Sequence, residues 1–259
     1  MFKRILTAVI ALLLFIPIIL YGSWPLELLM GVLAVLGLSE FLQMKKISVF
    51  SVPAVLSSLA VLMLAFSSRL TGIFGENVMM TTISLLIVSL FTYSVNKLDF
   101  KVTQIGSIVL MATYLGVAFT TFVSLRAYSL TFMFLVLLVI WATDTGAYLI
   151  GKQIGKTKLA PNVSPNKTVE GALGGTLLSA GVSALYLYFF PLFTSYLLSL
   201  LFMIMISAIG QLGDLIESKI KREYGVKDSG NLLPGHGGIL DRFDSLLLVL
   251  NVLFIIGLL

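Results

Sequence analysis

Residues Gly235–Leu259 read GHGGILDRFDSLLLVLNVLFIIGLL, and where their apolar run begins decides the architecture. A spanning helix needs about 20 mostly apolar residues to cross ~30 Å of hydrocarbon. Leu246 to Leu259 is a run of 14 residues, which at about 1.5 Å each reaches only ~21 Å. The span therefore takes in Ile239 to Ser245, and with them Asp241, Arg242 and Asp244. Carboxylates at that depth must face protein or a water-filled cavity. Their i, i+3 spacing puts both on one helical face, in the first turn, where the backbone dipole favours negative charge. Two carboxylates aimed at one place repel each other unless a cation answers them. A salt bridge to Arg242 is one solution, and a bound metal ion is the other.

Working outward, the 259 residues are 58% apolar and 11% charged, with mean hydropathy +1.06, against roughly 45–50% and about 25% in soluble domains. The fold class is an all-α, polytopic integral membrane protein. Nine segments qualify as spans: Ile5 to Tyr21, Trp24 to Met44, Val52 to Phe66, Val78 to Val95, Thr103 to Leu125, Tyr128 to Ile150, Val169 to Phe190, Leu192 to Ile216, and Ile239 to Leu259. The basic, then apolar N-terminus resembles a signal peptide but lacks a small-residue cleavage site, so it reads as an uncleaved first helix. With the N-terminus cytoplasmic and the C-terminus outside, all 17 Lys and Arg except Arg69 and Arg126 fall on the inner side, a strong positive-inside pattern. That pattern explains the net charge of +5 and the pI near 9.4 without a nucleic-acid partner. Residues 1–102 read as a transmembrane scaffold of four helices. Residues 103–259 carry the chemistry on five more, with inner loops at 151–168 and 217–238.

Ionisable groups at membrane depth default to a functional reading. Asp144 lies in the sixth segment, Asp214 in the eighth, Asp241 and Asp244 open the ninth, and Glu170 opens the seventh; all five approach the inner face. Glu27 and Glu40 in the second segment read as structural or interfacial. With no cysteine and one histidine, His236, thiolate and His-rich metal sites are excluded, and oxygen ligation of Mg²⁺ is the natural choice. The two inner loops supply opposite charge. One holds Ser218, Lys219, Lys221, Arg222 and Lys227 before a glycine-rich turn, His236-Gly237-Gly238, whose N–H groups can approach an anion at a helix N-terminus. The other brings Lys167 and Thr168 to the seventh helix, where Ser164 or Asn166 is suited to cap. Gly171 and Gly175 form a small-xxx-small pair for close helix packing. Two function classes fit these residues: a metal-dependent enzyme joining a phosphate-bearing lipid to a soluble phosphate compound, and an ion-coupled transporter. A transporter is expected to place polar groups near the midplane in repeated halves. Concentration of the polar groups on one side favours the enzyme.

The stretch from Ser218 to Asp244 resembles the signature of the phosphatidate cytidylyltransferase family, also called CDP-diglyceride synthases. It carries Ser218, Lys221-Arg222, Lys227-Asp228, Gly230, Leu233-Pro234, His236-Gly237-Gly238, Asp241-Arg242 and Asp244. A second region is also similar to the family: Asp144, Ala147-Tyr148, Gly151, Gly155-Lys156, Leu159-Ala160, Ser164-Pro165, Lys167-Thr168 and Glu170-Gly171, with Gly213-Asp214 and Glu217-Ser218 further on. Val169 departs from the tryptophan common there. The resemblance implies transfer of CMP from CTP to phosphatidic acid, giving CDP-diacylglycerol and pyrophosphate, with Mg²⁺ as cofactor; a second metal or a monovalent cation is left open. It implies a multi-pass protein of the cell's inner membrane with its site facing the cytoplasm, in contact with membrane lipids; a homodimer is left open. Asp214, Asp241, Asp244 and Lys167 are then the catalytic residues, with the three aspartates and Asp144 as direct or outer metal groups. Ser218, Arg222, Lys227, His236, Gly237, Gly238 and Arg242 are the candidates for CTP or phosphatidate contacts. The nearest enzymatic alternative is a CTP-dependent polyisoprenol or lipid kinase, which is similar in its C-terminal part.

Overall fold

The computed structural model describes residues 13–230, 232 and 237–258. Helix dominates, because a backbone in hydrocarbon has to satisfy its own N–H and C=O groups and a helix does so within one segment. Helical residues 13–21 precede α1 (Ser23–Met44), α2 (Val52–Ala65), α3 (Ser67–Phe74), α4 (Val78–Ser94), α5 (Val102–Tyr128), α6 (Leu130–Ile154), α7 (Val169–Phe189), α8 (Tyr196–Glu223) and α9 (Leu240–Ile255). A 3-10 turn, Gly75–Asn77, joins α3 to α4. Two short antiparallel strands, β1 (Lys158–Ala160) and β2 (Ser164–Thr168), lie between α6 and α7.

Among the described residues, six stretches are long and apolar enough to cross a membrane: α1, α3 with α4, α5, α6, α7 and α8. The expectation of nine spans is met in that part only. The 14 residues of α2 and the 16 of α9 reach about 21 and 24 Å, short of ~30 Å. The first segment, expected from Ile5, begins outside the described residues. Pro53 in the opening turn fixes where α2 starts, and Phe66, at φ −101° and ψ 20°, breaks it from α3. Elsewhere the helices outrun the apolar runs. The eighth segment, expected to end at Ile216, continues to Glu223. Glu217 and Lys221 pair across one turn there at 2.5 Å, and Lys221 and Arg222 complement the dipole of the last turn.

The chain divides into two compact units. The first comprises the described parts of Met1–Ala127, Asp228–Arg242 and Leu253–Leu259; the second comprises Tyr128–Lys227 and Phe243–Val252. In the first, α2 packs on α1 and α4 over a core that includes Leu26, Leu38, Leu64, Leu115 and Phe119. Gly116 admits Leu64 where any Cβ would collide with it, and Thr120 Oγ1 lies 2.7 Å from Leu64 O.

In the second unit α6 and α7 approach through glycines. A Cβ on Gly175 would stand 2.5 Å from Thr143 O, and one on Gly171 would stand 2.8 Å from Ala147 O. The packing role expected of this pair is what the backbone shows. Helices in lipid gain little from burying apolar surface against each other, so close contact and interhelical hydrogen bonds carry the association. Thr143 Oγ1 and Ser207 Oγ supply one, buried and 2.7 Å apart, between α6 and α8. Outward leucines of α7 such as Leu173 and Leu177 remain exposed, as lipid-facing side chains are.

Candidate active site

In the second unit a cavity of about 580 Å³ opens between α6, β2, α7 and α8, lined among others by Asp144, Tyr148, Lys152, Asn166, Lys167, Thr168, Gln211 and Asp214. Local sequence explains its walls. Gly151 and Gly171 pack closely enough that a Cβ on Gly171 would lie 3.0 Å from Gly151 Cα, which brings the C-terminal end of α6 beside the start of α7. Thr168 caps α7, its Oγ1 accepting from Gly171 N at 3.1 Å. Ser164 and Asn166, the caps expected from sequence, instead lie in β2. The hairpin carries them away from the helix start and leaves Thr168 at the junction.

Lys167 and Asp214 form an ion pair in this cavity, each side chain about one quarter exposed. Ser218 Oγ, one turn on, lies 3.4 Å from Asp214 Oδ1. Asp144, Asp214 and Glu217 all lie within Coulombic reach of Asp244, which accepts a backbone N–H from Ser245 at 2.7 Å. Glu217 is buried and paired with Lys221. Of the five carboxylates expected to converge, Asp144, Asp214 and Asp244 lie in one unit, the first two within electrostatic range of the third. Glu170 does not join them: its carboxylate accepts from Lys156 N at 3.0 Å and Thr157 N at 3.1 Å, tying the turn after α6 to the start of α7.

The basic candidates divide as well. The Arg222 guanidinium donates to Val163 O at 3.3 Å and Val226 O at 3.0 Å, so it staples the hairpin to the end of α8. Lys227 and Arg242 are exposed. His236 lies outside the described residues. Sequence reasoning passed over Gln211, whose Nε2 donates to Thr176 Oγ1 at 2.9 Å. Its signal was present: Gln211, Asp214 and Ser218 form a polar i, i+3, i+7 stripe on an apolar helix.

Asp241 belongs to the first unit and sits in the first turn of α9. Its Oδ2 accepts from Ser229 N, Ser229 Oγ and Gly238 N, each at 2.9 Å. The Gly238 N–H expected to meet a phosphate thus meets a carboxylate of the chain itself. Gly237 adopts φ +80°, and a Cβ there would lie 2.6 Å from Asp241 Oδ2, so glycine is required twice over.

The donor set suits a hard divalent cation. Mg²⁺ is ordinarily held by one or two carboxylates, with water and substrate phosphate completing its octahedron; Asp214 and Asp244, close enough to act on each other electrostatically, are a pair of that kind. Among the described residues no group of three or more histidine, cysteine, aspartate or glutamate side chains is placed to hold a metal ion.

Residues 2–259 match the cytidylyltransferase family. The chain is similar to the phosphatidate cytidylyltransferase of Bacillus subtilis strain 168, 41% identical over 257 residues, covering 97% of this chain and 96% of that protein. It is similar also to that of Staphylococcus haemolyticus, 42% identical over 254 residues, covering 98% and 97%, and to that of Staphylococcus aureus strain COL, 39% identical over 254 residues, covering 98% and 97%. With a match that takes in both units and the cavity-lining residues alike, the chain belongs to the cytidylyltransferase family.

Proposed function

We propose that the protein is a phosphatidate cytidylyltransferase, which transfers CMP from CTP to phosphatidic acid and releases pyrophosphate. The observation that carries this reading is the Lys167–Asp214 pair in a cavity beside Asp244, in a chain about 40% identical over nearly its full length to phosphatidate cytidylyltransferases. The nucleophile is a lipid phosphate oxygen already ionised at neutral pH, so neither an activated serine nor a general base is needed. That oxygen forms a bond to the α-phosphorus of CTP as the bond from the α-phosphorus to the bridging oxygen breaks, and pyrophosphate leaves with the electron pair. The obstacle is bringing one polyanion to another. Lys167, oriented by Asp214, supplies positive charge, and Asn166 offers an amide donor along the wall. Asp214 and Asp244, with Asp144 in electrostatic range, would hold Mg²⁺, which would neutralise charge on the phosphates. Lys227, Arg242 and His236 are cationic or donor groups for the triphosphate or the lipid headgroup. The distribution of Lys and Arg supports a site on the cytoplasmic side of the cell membrane, with the N-terminus inside and the C-terminus outside. One substrate is then drawn from the bilayer and the other from the cytosol.

The test is to give the purified protein phosphatidic acid, Mg²⁺ and CTP labelled at the α- or the γ-phosphate. Alpha label in the lipid fraction is expected. Gamma label alone would make the protein a lipid kinase, and neither label, from folded protein, would return the transporter reading.

A further inference from the structure

Glu40 sits near the C-terminal end of α1 and is 4% exposed. Its carboxylate takes three hydrogen bonds from residues far along the chain: Ile239 N at 2.7 Å, Leu240 N at 3.0 Å and Ser229 Oγ at 3.0 Å. Ile239 and Leu240 carry N–H groups at the start of α9, where a helix lacks acceptors of its own. A side chain of α1 thus does for α9 what an N-cap residue does from within a helix, and its negative charge suits that terminus. Ser229 Oγ also lies 2.9 Å from Asp241 Oδ2, so its single O–H proton is shared between the two carboxylates and couples their positions. The fit leaves no slack. A Cβ on Gly230 would stand 2.9 Å from Glu40 Oε1, and one on Gly238 would collide with both Ser229 Oγ and Glu40 Oε2.

We propose that Glu40 is a positioning residue for nucleotidyl transfer, acting through Ser229 and Asp241 to fix the first turn of α9. The proposal rests on the cytidylyltransferase reading. Buried and engaged by three donors, Glu40 acts on the reaction only through the residues that it holds. Glu40→Ala removes every acceptor; Glu40→Gln keeps one oxygen but turns an amide NH₂ toward a donor, so its effects are expected to be smaller and of the same kind.

The experiment compares full-length wild type, Glu40→Gln, Glu40→Ala and Ser229→Ala in detergent, by backbone hydrogen exchange and by transfer of α-labelled CTP. Exchange over residues 237–245 is expected to rise about tenfold in Glu40→Ala, the scale of a lost helix cap, while peptides of α6 stay as in the wild type. Turnover is expected to fall and the half-saturating Mg²⁺ concentration to rise, with the KM for phosphatidic acid unchanged. A merely structural Glu40 would alter melting without moving the Mg²⁺ dependence. Unchanged exchange over 237–245 in Glu40→Gln and Ser229→Ala overturns the contact, even if Glu40→Ala fails to fold. Raised exchange with wild-type turnover and Mg²⁺ dependence overturns the link to chemistry. Absence of α-label transfer by the wild type overturns the cytidylyltransferase reading and the catalytic half of the proposal together, while the exchange pattern still decides the contact.

Discussion

Two carboxylate clusters, one in each unit, are treated in opposite ways. In the first, Glu40 and Asp241 are met by neutral donors: the N–H groups of Ser229, Gly238, Ile239 and Leu240 and the Ser229 hydroxyl. In the second, the carboxylates are met by charge. Asp214 and Glu217 take the ammonium groups of Lys167 and Lys221, and Asp244 lies in the field of Asp214, Glu217 and Asp144. Donors arranged around a carboxylate fix a backbone. Like charges gathered together are costly until a cation joins them.

The largest expected effect breaks that contrast at its charged end. Asp244→Asn should lower turnover by roughly 10³-fold, the scale of several kcal/mol of charge stabilisation, measured as α-label transfer at saturating Mg²⁺. Near-normal turnover would remove Asp244 from the site. Lys167→Ala should cost roughly 10²-fold, and Lys167→Arg should restore only part of it, because a planar guanidinium does not replace a compact ammonium. Gly175→Val tests the frame of the cavity: its side chain meets the Thr143 carbonyl, and overpacking of this sort costs about 1–3 kcal/mol, seen as a lower melting midpoint before any change in Mg²⁺ dependence. The smallest effect belongs to Arg69→Gln. Arg69 is half-exposed and pairs with Glu27, away from both clusters in sequence, and the variant should keep wild-type turnover and Mg²⁺ dependence.

Much of this was legible in the chain because it is written in local spacing. Apolar run length gave the membrane class, and the length count placed Asp241 and Asp244 in the opening turns of the last helix, where α9 has them. Gly171 and Gly175 announced close packing by their interval alone. What was hidden depends on partners distant in sequence or on irregular backbone. Glu40 finds its donors 189 to 200 positions away, and no periodicity within α1 marks that. Thr168 becomes the cap because a hairpin withdraws Ser164 and Asn166, and a three-residue strand such as β1 leaves little pattern. The polar end of α8 escaped because hydropathy tracks the lipid, whereas the helix is sustained beyond it by the Glu217–Lys221 pair.

Thermal melting of the wild type and of Asp244→Asn, with and without Mg²⁺ and CTP, bears most directly on the charged cluster. Ligand at about 100 times its Kd stabilises a folded state by ~2.7 kcal/mol, which for a chain of this size is a rise of about 5–10 °C. The wild type should show that rise with Mg²⁺ and CTP together, and Asp244→Asn should lose most of it. An equal rise in both proteins would contradict the assignment of Asp244 to the cation and nucleotide site.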